Sequence, residues 1–136
     1  RFLMSLDDAV DLVEFAFSNG DQGDLLIQKS PACTVETLSK ALMRLFSKNL
    51  EIKVIGPRHG AIMFATLITK EEFGKAQDLE GYFRVPLDGR DLNYENHRDL
   101  KQRLDISQEY NSNNTQILNI EEVEEVLKTL TYIEEI

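Results

Sequence analysis

Two hydrophobic periods alternate along this chain, and that alternation limits the folds open to it. Leu6, Ala9, Val10, Val13 and Phe17 recur at helical spacing after Ser5, an N-cap residue type, with Asp7 and Asp8 at the positive helix end. Gly20 stops that helix, and Asp21-Gln22-Gly23-Asp24 is turn chemistry. Leu25-Leu26-Ile27-Gln28-Lys29 then reads as a short buried strand, broken by Ser30-Pro31. Thr34 caps a second helix, with Glu36 in its first turn and Val35, Leu38, Leu42, Leu45 and Phe46 on one face. Glu51 to Ile55 is the next strand, ended by Gly56-Pro57. Two strand–helix alternations of this length predict an α/β class. The expected core is a small, mainly parallel sheet containing residues 25–29 and 51–55, covered by helices over 5–18 and 34–47.

Periodicity leaves the type of the apolar run Ala61 to Ile68 open. Thr69 followed three residues later by Glu72 is a capping-box pattern and predicts a short helix to about residue 78. Tyr82 to Val85 reads as a strand closed by Pro86. From Leu87 to about Thr115 the chain is polar, a long loop or excursion. Asn119 and Glu122 then cap a last helix whose Val123, Val126, Leu127 and Leu130 form one stripe. A length of 136 residues fits one domain. The expected organisation is an α/β lobe over 1–86, with an excursion and C-terminal helix over 87–136 packed on it.

Charge removes some partners. Fifteen basic against 24 acidic residues leave a net charge of −9, the wrong sign for nucleic acid or for an anionic membrane surface. The longest uncharged apolar run, Ala61 to Thr69, falls far short of the roughly 20 residues a membrane span needs. No basic-then-apolar leader opens the sequence, and the single Cys33 excludes an internal disulfide, so a cytoplasmic setting is expected.

Neither standard phosphate cradle, G-x-G-x-x-G or G-x-x-x-x-G-K-[ST], occurs. His59 and His97 have no second ligand at helical spacing, so no metal site is expected. Cys33 precedes a helix, whose dipole lowers thiol pKa values; the plainer alternative is a packed bystander. Glu121, Glu122, Glu124 and Glu125 read as a solvated helix face. The strongest local candidate is Ile55-Gly56-Pro57-Arg58-His59-Gly60, where two glycines bracket a turn at a strand's carboxyl end. Ligands of open α/β sheets bind at that edge, and the planar fork of Arg58 suits phosphate oxygens. The alternative is that Arg58 pairs with a surface carboxylate. Arg1, a cation just before a helix, carries the same two readings.

These stretches together resemble a known family. Arg1 to Val13 (RFLMSLDDAVDLV) is similar to the "TRFMMSLDEAVDLV" segment of CapD-type bacterial polysaccharide-biosynthesis proteins. The likeness continues through Gly23 to Lys29, Thr34 to Leu38, Ile55 to Gly60, Arg84-Val85-Pro86, Arg90 to Tyr94 and Glu109 to Thr115. Those proteins are extended short-chain dehydrogenase/reductases: UDP-glucose or UDP-N-acetylglucosamine 4-epimerases, 4,6-dehydratases and C5-epimerases.

The resemblance implies the C-terminal, UDP-sugar-binding lobe of such an enzyme, serving capsule or lipopolysaccharide synthesis. Arg58 and Arg1 then correspond to arginines on the pyrophosphate. The family's NAD(P) cradle and Tyr-x-x-x-Lys pair belong to an N-terminal Rossmann half. In this sequence, positions four after Tyr82, Tyr94, Tyr110 and Tyr132 hold Pro86, Arg98, Asn114 and Ile136, never Lys. No catalytic residue and no cofactor are therefore expected in this chain, which alone should be inactive. The expected partners are a UDP-sugar, the Rossmann half and further copies in a homo-oligomer. The family's "RHGEKLYE" reads here Arg58-His59-Gly60-Ala61-Ile62-Met63-Phe64-Ala65, with both acids and the lysine replaced by apolar residues. The alternative function is a stand-alone protein-interaction module derived from such an enzyme.

Overall fold

Short elements with strong local signals build the fold. The computed structural model describes residues 1–87, 108–130 and 133. In chain order these form α1 (Leu6–Asn19), β1 (Leu25–Gln28), α2 (Val35–Leu45), β2 (Thr66–Ile68), α3 (Lys70–Phe73), β3 (Gln77–Leu79), β4 (Tyr82–Val85), β5 (Tyr110–Asn111) and α4 (Ile120–Lys128). They fall into two compact units that interleave along the sequence.

One unit comprises residues 1–5, 30–65 and 112–136. Its core is Cys33, Ala41, Leu118 and Val123, with Leu3, Leu38, Ile120, Val126 and Leu127 packed against them. The α2 stripe thus meets the α4 stripe, and each helix is closed at its start by a side chain. Thr34 Oγ1 accepts from the Thr37 N–H at 2.9 Å. Asn119 accepts from the Glu122 N–H at 3.0 Å while its own N–H donates to Glu122 at 2.7 Å, a complete capping box. Three extended stretches join through Ala32, which bridges antiparallel to Phe2 and parallel to Ile117.

The other unit comprises residues 6–29 and 66–111. Strands β1, β4 and β3 form an antiparallel sheet in that order, with Leu26 opposite Arg84 and Asp78 opposite Phe83. Strands β2 and β5 form a second antiparallel pair. Phe83 packs edge-on against Phe73 and Tyr110, at centroid distances of 5.6 and 5.1 Å. Phe15 of α1 stacks on Tyr82 at 3.9 Å.

Three expectations need correction. The sheets are antiparallel, and among the described residues parallel pairing occurs only at the Ala32–Ile117 bridge. The cause is local: β3 and β4 are joined by the two-residue turn Glu80-Gly81, so the neighbour of β1 comes from a hairpin rather than from a helical crossover. Residues 51–55 form no strand and are exposed, having no ladder partner among the described residues. The helix after Thr69 is shorter than expected because residues 77–79, inside the predicted span, pair with β4 instead. Its capping box is present as predicted. Of the excursion expected over 87–115, residues 88–107 lie outside the described residues.

Candidate functional site

The loop from Gly56 to Gly60 owes its shape to its glycines. Both lie in the left-handed region, at φ +75° and +81°, and a Cβ at either would meet nothing within 4 Å. The dihedral angle, not lack of space, is what requires glycine there. The Ala61 N–H donates to the Arg58 carbonyl at 2.9 Å and closes a turn that holds Arg58 and His59 on an exposed rim. His59 has no metal-holding neighbours: among the described residues no three His, Cys, Asp or Glu side chains gather. His97 lies outside the described residues.

Arg1 reaches the segment just past this loop. Its amine nitrogen donates to the Cys33 carbonyl at 2.6 Å, and the Cys33 N–H donates back to the Arg1 carbonyl at 2.9 Å. Anchored in this way, the Arg1 guanidinium donates to the Ile62 carbonyl at 3.2 Å. Arg1 thus touches Ile62, two residues past Gly60, while Arg58 sits within the turn, and residues 56–62 are all exposed. Cys33 itself is buried, and that burial pushes its thiol pKa up, opposite to activation by a helix end.

The acidic cluster of α4 is occupied by structural partners. Arg44 of α2 donates to Glu121 at 2.7 Å and lies 3.7 Å from Glu124, Lys128 pairs with Glu125 at 2.6 Å, and Glu122 serves the cap. The Arg44 hydrogen bond holds the Glu121 carboxyl below its usual range.

A second charged group was not singled out in the sequence. Arg84 of β4 forms ion pairs with Asp21 and, at 2.5 Å, with Asp24, whose side chain is only 4% exposed. The Asp21 N–H also donates to Asp24 at 2.9 Å. Together these hold the Asp24 carboxyl below its ordinary pKa, with the backbone donor the larger cause and the guanidinium next. Gly23, at φ +89°, permits the turn, and a Cβ there would stand 2.9 Å from Leu87. Two acids in a turn were visible in the sequence. Their cation, 60 residues later on a strand, gave no local signal.

This geometry stands beside clear kinship. A profile described as polysaccharide biosynthesis protein matches residues 1–87, and one described as polysaccharide biosynthesis protein C-terminal matches residues 88–134. The chain belongs to the polysaccharide biosynthesis protein family. Within the family it is 50% identical over 136 residues to UDP-glucose 4-epimerase of Rickettsia felis, covering 99% of this chain and 40% of that protein. It is 48% identical to the Rickettsia bellii protein of the same name, again over 99% and 40%. The chain thus spans about two fifths of the length of these curated relatives, at their C-terminal end. Among solved structures, Pen from Bacillus thuringiensis superposes with a TM-score of 0.73 at 26% identity, over 94% of this chain and 36% of that one. The fold is therefore shared with a part of Pen. No helix among the described residues is long and apolar enough to cross a membrane.

Proposed function

We propose that this chain is the UDP-sugar-binding part of a nucleotide-sugar epimerase or dehydratase for polysaccharide synthesis, with Arg58 and Arg1 holding the pyrophosphate. The observation that carries the reading is that Arg1 hydrogen-bonds Ile62, two residues past the glycine-bracketed loop that holds Arg58, in a chain half identical to UDP-glucose 4-epimerases. A pyrophosphate brings about two negative charges toward a chain of net charge −9, so fixed local cations must offset the general repulsion. Guanidinium forks supply paired donors, and glycines let backbone N–H groups approach the phosphates.

The residues of this chain do not fit NAD(P). The sequence has no glycine-rich dinucleotide turn and no Tyr-x-x-x-Lys pair to exchange protons at a sugar hydroxyl. Redox chemistry at the sugar therefore belongs to an N-terminal half of the kind the longer relatives possess. This chain alone positions substrate and does not turn it over.

The test joins this chain in frame to the N-terminal three fifths of the Rickettsia felis relative and titrates UDP. Arg58→Ala should weaken binding about 10- to 150-fold, the equivalent of one charge-assisted contact. Arg58→Lys should recover only part, because a point charge replaces a fork. Parental UDP affinity in both variants would show that Arg58 is a surface cation and remove the reading.

A further inference from the structure

Helix α1 carries an apolar stripe that nothing among the described residues covers. Leu6, Val10, Val13 and Phe17 follow one another at spacings of four, three and four, which places them on one face. Leu6 is 81% and Phe17 87% exposed, and Val10 and Val13 are both more than half exposed. The opposite face is spent on the sheet, where Phe15 stacks on Tyr82. At 100° per residue, Asp7, Asp11 and Glu14 flank one side of the stripe, and the helix has no lysine or arginine. The other side opens into a shallow cleft lined by Leu12, Ala16 and Leu26.

From this we infer that the outer face of α1 is the seat for the N-terminal half, contacted by an apolar ridge bordered by lysine or arginine side chains. The inference rests on the reading that such a half completes the enzyme, and it adds the surface by which the two parts meet. Charge selects the border, since three carboxylates beside an apolar contact need cations opposite them. Area selects the occupant. A 14-residue helix is about 21 Å long, and one face of it falls well below the roughly 800 Å² per partner that a stable complex of separate chains buries. A patch this small holds when its partner is linked to it, where effective concentration replaces contact area. A second copy of the chain lacks that advantage and brings the same acidic border.

Thiol accessibility tests this in the chain alone and in the joined chain of the UDP titration. Val10→Cys places a probe on the stripe; Asn19→Cys places one at an exposed position on the far side of the same helix. Buried Cys33 contributes little background. Alkylation at position 10 should slow about 30-fold or more on joining, while position 19 changes less than about threefold. Hydrogen exchange at α1 amides should slow in parallel, an independent reading that needs no substitution. Equal reactivity of Val10→Cys in both forms overturns the inference. So does protection already present in the chain alone that rises with its concentration, which assigns the face to a second copy. UDP titration of the same samples separates the two claims. Protection without UDP binding removes the substrate reading and keeps the docking face; UDP binding without protection does the reverse.

Discussion

Helices α1 and α2 carry the same kind of sequence signal and meet opposite fates. Both have apolar residues at helical spacing and acids in the first turn. The inner face of α2 is closed by α4: Ala41 and Val123 are fully buried, and Leu38, Val126 and Leu127 pack around them. The Leu6–Phe17 stripe of α1 is open. Amphipathic period therefore states which face of a helix is built to be covered, and only the three-dimensional arrangement shows whether this chain contains the cover.

The sharpest way to break that contrast is one charge on each helix. Val123→Asp buries an unpaired carboxylate and should cost about 3–5 kcal/mol, enough to unfold the unit that contains α4. Val13→Asp on the open stripe should cost about 1 kcal/mol or less in the same denaturant titration. Similar losses at both sites would mean that the α1 stripe is already covered.

Glycines offer a second pair. Gly23→Ala forces a left-handed alanine against Leu87 and should lose about 2 kcal/mol or more. Gly60→Ala meets no neighbour and should lose only the conformational part, about 1 kcal/mol. Equal melting shifts would show that packing at Leu87 is irrelevant. Caps come next: Asn119→Ala removes half of a capping box and should cost about 1 kcal/mol.

The smallest effect lies in pH. Asp24 has a folded pKa below its ordinary 3.8, so its contribution is present above the unfolded pKa and is lost as pH falls through the folded one. The stability gap between the parent and Asp24→Asn should therefore be constant near neutrality and shrink in acid below about pH 4. A gap that persists unchanged at pH 2 would rule out the ionised carboxylate as its source.

Local signals were the legible part of the sequence. The capping boxes at Thr69 and Asn119, the Thr34 cap and the turn at residues 21–24 all act within four residues, and all are present. Sheet direction was not legible, because it depends on which distant strand reaches β1, and the hairpin partner β4 lies more than 50 residues away. The strand expected at 51–55 had the right alternation and no partner edge among the described residues. Arg58 and Arg1 were readable as cations beside a turn or helix. The bond from Arg1 to Ile62, just past the Arg58 loop, and the enclosure of Asp24 by Arg84, depend on folding and could not be read from spacing.

The central claim is that Arg58 and Arg1 bind the diphosphate, and guanidinium NMR of the joined chain titrated with UDP tests it directly. The Nε–H signals of Arg58 and Arg1 should shift and sharpen as UDP saturates. Those of Arg44 and Arg84, already held by carboxylates, should stay in place. Saturable UDP binding that leaves both the Arg58 and the Arg1 signals unmoved would contradict the account.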